Sequence, residues 1–109
     1  MKLNDLCLLG FARKSGNLSV GMDASVMSIK KHKAQLLFLA CDISDKSRKE
    51  IEFLCNEHNV RMYSSEFTMD CIAQQIGKRA GILSVNSKQF AQAILNKIAI
   101  GGNADDDKI

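Results

Sequence analysis

The stretch Ala34-Gln-Leu-Leu-Phe-Leu-Ala-Cys41 (AQLLFLAC) decides the fold. It is nearly all apolar and too short for a typical helix. It lacks the alternation of a strand with one wet face, so it predicts a central strand covered on both sides. Upstream, Met22, Val26 and Ile29 mark a helix running to about Lys31. Before that, Asn17 to Val20 is a short extended piece ending at Gly21. Leu3, Leu6, Cys7, Gly10 and Phe11 recur at helical spacing, so residues 3–14 form an amphipathic helix. Ser15 and Gly16 stop it, and Arg13 and Lys14 occupy its last turn, where cations suit the helix dipole.

Downstream the alternation continues. Residues 45–58 carry a helix with Ile51, Leu54, Cys55 and His58 on one face, and Ser47 with Glu50 fits a capping box near its start. Val60 to Tyr63 is a short strand. Ser64 and Ser65 are cap candidates for a fourth helix, with Met69, Ile72, Ala73 and Ile76 inward. Gly77 to Gly81 is a basic, glycine-bounded loop and Ile82 to Val85 a strand. Asn86 and Gln89 form a capping pair for a last helix on Phe90, Ile94, Leu95 and Ile98. The order α-β-α-β-α-β-α-β-α predicts an α/β fold, a three-layer α/β/α sandwich around a small four-stranded mixed sheet. Residues 1–99 make one domain, and residues 100–109 are expected to be an acidic, disordered tail.

Composition bounds the function. The chain has 109 residues, 46% of them hydrophobic and 25% charged, which suits one globular domain. No run approaches the ~18 apolar residues of a membrane span. The N-terminus does not read as a signal peptide, because Asn4 and Asp5 interrupt its apolar stretch. Residues 1–40 hold six Lys/Arg against two Asp/Glu, residues 41–99 eight against seven, and residues 100–109 one against three. The tail therefore masks part of the charge of a basic domain, which suggests a polyanionic partner. Cys7, Cys41, Cys55 and Cys71 include no close pair, so a zinc site is not expected. They are expected to be free, buried thiols in a reducing cytoplasm.

Enzyme signatures are missing. Gly16 and Gly21 have the glycine spacing of a phosphate loop, but Met22 stands where lysine is needed. There is no G-x-G-x-x-G and no G-x-S-x-G. His32, inside a lysine run, and His58, on an inner helix face, read as structural histidines. Asp42, directly after the central strand, reads as a polar strand end or helix-approach residue. No catalytic residue, metal or cofactor is expected.

The basic segments are more informative. Lys30, Lys31, His32 and Lys33 form one cluster, Arg13 and Lys14 another, and Lys78 and Arg79 a third. The first two flank the Gly16–Gly21 segment, which leads into a helix N-terminus whose free N–H groups attract phosphate. In the third, Ala80 and Gly81 leave little bulk to keep a ligand away. Such lysines and arginines beside exposed backbone suit phosphate contacts. Aromatics are 6% of residues, and Phe11, Phe38 and Phe90 read as core, so shape recognition of a folded RNA fits better than stacking on single strands.

These segments, in this order, resemble a known family. Phe11-Ala-Arg-Lys-Ser-Gly16, Gly21, and Lys33 to Asp42 look like the small bacterial YlxQ group, which belongs with archaeal and eukaryotic large-subunit ribosomal proteins that bind kink-turn RNA. Cys55-Asn-Glu-His-Asn-Val60, Ile76-Gly77-Lys78 and the Val85-to-Phe90 junction continue the match over residues 3–98. The resemblance implies a sandwich that binds structured RNA without catalysis. It implies that the start of the second helix enters the RNA groove at the bend, through a motif G-x-N-E-x-x-K. Gly21 matches the glycine, while Asp23 falls at the asparagine, Ala24 at the glutamate and Met27 at the lysine. Asp23 only accepts hydrogen bonds where asparagine also donates, and each lost polar contact to a base removes on the order of 1–3 kcal/mol of discrimination. Lys78, Arg79, Ala80 and Gly81 would form the second wall.

The expectation is a monomeric cytoplasmic protein whose partner is structured RNA, ribosomal or otherwise kinked, with no membrane or small-molecule substrate. Gly16, Gly21, Met22, Asp23, Ala24, Ser25 and Met27 would meet the RNA, and Lys14, Lys30, Lys33, Lys78 and Arg79 would neutralise phosphates. The alternative is a protein-interaction module on the same sandwich that has lost specific RNA recognition.

Overall fold

The computed structural model of the chain describes the backbone of residues 1–101 and the side chains of residues 1–98. Its centre is the strand β2 (Leu36–Leu39), whose four side chains are all fully buried. Leu36, Phe38 and Ala40 face one side, Leu37 and Leu39 the other, as the two-residue period of a strand requires. Burying four such side chains contributes on the order of 6–12 kcal/mol before the entropy of ordering them. The strand β3 (Arg61–Ser64) pairs parallel to β2, with Leu36 opposite Arg61. The strand β4 (Ile82–Val85) pairs antiparallel to its other edge, and β1 (Leu18–Val20) pairs antiparallel to β4. The mixed sheet has the order β1-β4-β2-β3.

A 3-10 turn (Leu3–Leu6) leads into α1 (Cys7–Lys14), so the expected first helix is two pieces. With α4 (Met69–Ile76) and α5 (Lys88–Gly101), α1 covers the Phe38 face through Leu9, Ile72, Ile76, Ala91 and Ile94. The helices α2 (Met22–Lys30) and α3 (Asp45–His58) cover the Leu37 face through Ile29, Ile51 and Cys55. The result is the three-layer α/β/α sandwich. Gly10 lets α1 and α4 approach closely, since a Cβ there would lie 2.7 Å from the Gln75 carbonyl oxygen.

Several local expectations are corrected. The cap of α3 is Ser44, whose Oγ accepts from the Ser47 N–H at 3.1 Å, so Ser47 and Glu50 do not form the capping box. Thr68, not Ser64 or Ser65, caps α4. Ser65 is buried instead, its hydroxyl donating to the Leu39 carbonyl at 2.6 Å. At α5 the Phe90 N–H donates to Ser87 Oγ, while the Asn86 side chain turns to Ser84 and Ser19. Phe11 is not core but 55% exposed, because α1 buries Leu9, Gly10 and Ala12 and leaves Phe11 outside that face. Of the four free cysteines only Cys55 is buried, and Cys41 is exposed. The His58 ring is half-buried and meets His32 edge-on at 5.9 Å. The helix α5 continues to Gly101, past the expected domain limit at residue 99, and the remainder of the tail lies outside the described residues.

The register gives the molecule two unlike ends. The strands β1, β2 and β3 run in one direction and feed α2, α3 and α4. Three helix N-termini therefore gather at one end of the sheet. The strand β4 runs back, so α5 starts at the opposite end, beside Leu18, Leu36 and Arg61.

Candidate nucleic-acid interface

At the end where three helices start, Gly21 joins β1 to α2. Its N–H donates to the Ile82 carbonyl at 2.8 Å, and its carbonyl accepts from the Ser25 N–H at 3.0 Å. It holds φ 98° and ψ 169°, a region that only glycine occupies without strain. A Cβ added there would meet nothing within 4 Å. Backbone conformation, not crowding, demands the glycine, and the space above the first turn of α2 is open.

The facing wall is the loop after α4. Gly77 ends that helix in the left-handed conformation, with φ 78°, and Arg13 donates from Nη1 to the Ile76 carbonyl just before it. Arg13 is thus occupied in capping α4. At the far end of the loop the Gly81 carbonyl accepts from the Ala40 N–H at 2.8 Å. A Cβ on Gly81 would overlap Ile43 Cγ2 and lie 3.1 Å from Met69, so the loop can lie this low only with glycine. Between the walls is a groove of about 340 Å³, with Ile43 and Met69 in its lining and Ser44 at the start of α3. Gly21, Met22, Lys78, Arg79, Ala80 and Gly81 all border it. Ile43 and Ser44 carried no signal in the sequence, and Met69 read only as an inward helix residue; they meet here because β2 and β3 deliver α3 and α4 to the same end.

The electrostatics of this end are mixed. The helices α2, α3 and α4 each hold an aspartate in the first turn, Asp23, Asp45 and Asp70, where the helix dipole favours an anion. Asp42 accepts from the Met69 N–H at 3.0 Å and so serves the start of α4, in keeping with a helix-approach residue. Arg79 donates from Nε to Asp70 at 2.8 Å. That hydrogen bond, more than the charge of Asp70, pushes the guanidinium pKa up from its ordinary value. Arg79 is permanently charged and already has a carboxylate partner. Lys78 is exposed and, among the described residues, has no ion-pair partner.

The remaining expected contacts divide. Asp23, Ala24 and Met27 are exposed on α2, Met27 at 53%. Ser25 is fully buried, and its hydroxyl has no hydrogen-bond partner among the described residues. Lys14, Gly16, Lys30 and Lys33 are exposed, but they lie where α1 and α2 finish, at the opposite end. The nine residues of α2 separate the two ends by about 13 Å. Gly16, Ala24, Met27 and Lys33 line a second groove there, of about 590 Å³. One expected site is therefore two surfaces on either side of α2.

Comparison with known proteins bears on both fold and lineage. The RNA-binding protein YlxQ of Enterococcus faecium is 27% identical over 85 residues, covering 78% of this chain and 82% of its own. A Bacillus halodurans protein of unknown function shares the fold with a TM-score of 0.82 at 19% identity, over 89% of this chain and 98% of that one. The Giardia lamblia 15.5kD RNA binding protein does so with a TM-score of 0.71 at 12% identity, over 87% and 82%. At those identities the two structures speak to the fold alone. The model of one family matches residues 6–95, which takes in the whole sheet and the first four helices. The chain belongs to the ribosomal protein L7Ae/L30e/S12e/Gadd45 family.

Proposed function

We propose that this protein binds structured RNA without catalysing a reaction, through the groove between Gly21 and the Lys78–Gly81 loop. The observation that carries this reading is the open start of α2. Gly21 leaves backbone uncovered, and Lys78, without an ion-pair partner among the described residues, stands on the facing wall. Backbone amides at a helix start and one mobile cation suit a phosphodiester at a sharp bend, where an RNA groove is wide enough to admit a helix end. Membership of the family and the name of the E. faecium relative support the same reading. Kinked RNA, a ribosomal or translation-associated setting, a cytoplasmic location and a monomeric state complete the proposal.

The groove favours shape over sequence. Asp23, Ala24 and Met27 supply neither the amide nor the cation of the motif that the sequence resembles, so base-edge discrimination is expected to be weak. The exposed thioether of Met27 favours one second reading, a protein partner on α2.

A salt titration of binding to a bent internal-loop RNA tests the proposal. Lys78→Ala should lower the slope of log affinity against log salt by about 0.7–0.9, one phosphate contact. Arg79→Ala should lower it less, because Asp70 already holds that guanidinium. Unchanged affinity and slope in the Lys78→Ala, Arg79→Ala double variant would remove the loop from the interface. A partner captured from lysate that survives nuclease would favour the protein-partner reading.

A further inference from the structure

The opposite end of the sheet has the stronger cationic character. Lys31 and Lys33 border the groove of about 590 Å³ beside β1, and Arg61 and Lys88 border another of about 640 Å³ beside β3. Gln35 lines both, so the two grooves form one continuous surface across the end of the sheet. Among the described residues, the lining of neither groove includes a carboxylate. None of these four cations has an ion-pair partner among the described residues, and the nearby Glu57 lies 3.7 Å from His58.

Local roles do not account for all four. Lysines at the end of α2 suit the negative pole of that helix. Lys88 is the reverse case: it is the first residue of α5, whose first turn holds no acid, so it stands at a positive pole, where a cation is disfavoured without an anion. The floor of the groove beside Lys31 and Lys33 is built. Asn86 is fixed by a 2.7 Å bond from Ser84 Oγ and a 2.9 Å bond to Ser19 Oγ, and Ser19 pairs with the buried Ser28 at 2.6 Å. A hydrogen-bonded polar floor on one side and, among the described residues, four cations without an ion-pair partner and no lining acid are complementary to a phosphodiester backbone.

We infer that Lys31, Lys33, Arg61 and Lys88 form a second RNA-backbone-binding surface, distinct from the Gly21 groove and indifferent to bends in the RNA. The reading adds to the proposed function and does not depend on the Gly21 groove being correct. Two probes separate them: a bent internal-loop RNA, and a straight A-form duplex of about 20 base pairs, long enough to span one face of the domain. The triple variant Lys31→Ala, Lys33→Ala, Lys88→Ala changes only exposed side chains, and a thermal melt checks its fold. It should bind the straight duplex at least about tenfold more weakly at low salt, with a salt slope lower by about two to three. The matching triple arginine variant should bind like the unaltered protein. Lys78→Glu should leave straight-duplex binding intact while weakening the bent RNA.

Equal binding of the straight duplex by the alanine triple variant and the unaltered protein would overturn the inference. Loss of straight-duplex binding in Lys78→Glu would overturn the separation of the two surfaces. Loss of binding to phosphatidylserine vesicles in the triple variant, with duplex binding kept, would assign the surface to a lipid face and overturn the RNA reading.

Discussion

Gly21 gives the sharpest test of the Gly21 groove, because its conformation and its surroundings make opposite demands. At φ 98° and ψ 169° any L-residue is strained by on the order of 1–3 kcal/mol. The position of an added Cβ is empty to 4 Å, so no clash adds to that strain. Gly21→Ala should therefore lower the melting temperature by about 5–20 °C, at roughly 4–8 °C per kcal/mol for a domain of this size. Gly21→Glu should lower it by a similar amount, since the backbone cost is shared and the longer side chain extends into open space. The two variants should part company in RNA binding. Alanine adds one methyl group over the start of α2, whereas glutamate adds bulk and a negative charge where a phosphate is proposed to approach. Glutamate should cost at least about tenfold more in affinity than alanine, or about 1.4 kcal/mol. Differential scanning fluorimetry and fluorescence anisotropy on the same preparations give both readings. A Gly21→Ala variant that melts with the unaltered protein would refute the strain argument. Equal RNA affinity of the two variants would refute the groove as the binding site.

Two further outcomes follow from the packing. Gly10→Ala tests which of two opposed effects wins: alanine improves helix propensity by about 1 kcal/mol, but its Cβ would sit 2.7 Å from the Gln75 carbonyl oxygen, which is backbone and cannot swing aside. Overpacking of that kind costs about 1–3 kcal/mol, so urea denaturation should show a net loss, and a gain would mean that α1 and α4 can slide apart freely. Burial, with a smaller contribution from the Glu52 carboxylate, pushes the Cys55 thiol up from 9.0 to about 11. The folded state then holds the thiol proton more tightly than the unfolded chain, so this stabilisation is complete below pH 9 and is lost as pH rises toward 11. Tyr63, pushed up to about 12, adds a similar decline from pH 10 upward. Melts across this range should fall less steeply in Cys55→Ala than in the unaltered protein, and parallel curves would remove Cys55 from the alkaline transition.

The parts of the fold legible in the sequence were those written in local periodicity. Seven of the eight residues in Leu36–Leu39 and Ile82–Val85 are apolar, Ser84 being the exception, and all eight are buried because helices cover both faces of the sheet. Caps were less legible, because a serine three residues from a polar side chain recurs by chance. Ser47 loses to Ser44, and Ser65 serves β2 rather than α4. Phe11 shows the limit of a periodic reading: its spacing places it beside Cys7 on one stripe, but the residues that α1 buries are Leu9, Gly10 and Ala12. The candidate site was legible in its glycines and cations and illegible in its geometry. Nothing in the sequence separates Lys33 from Lys78, yet the strand directions put them at opposite ends of α2. Nor does it reveal that Arg79 is held by Asp70 and Arg13 by the end of α4.

Strand direction also gives the two ends different electrostatic tasks. Each helix N-terminus carries roughly half a positive charge and each C-terminus half a negative one. Where α2, α3 and α4 start, Asp23, Asp45 and Asp70 more than offset those poles, and Asp70 also engages Arg79. Long-range attraction for a polyanion is therefore weak at the Gly21 groove. Contact there has to come from backbone amides and from the fit between two glycine-bounded walls, which act only at short range. At the opposite end, Lys30, Lys31 and Lys33 exceed the negative poles of α2 and α3, and Arg61 and Lys88 add to the excess. On the proposed reading, the far end should govern encounter rate and salt dependence, while the Gly21 groove should govern which RNA shape stays bound. Stopped-flow association at several salt concentrations separates the two: the lysine-to-alanine triple variant should slow association, and Lys78→Ala should chiefly speed dissociation. If both variants changed the same rate constant, the division of tasks between the ends would be wrong even with both surfaces in contact with RNA.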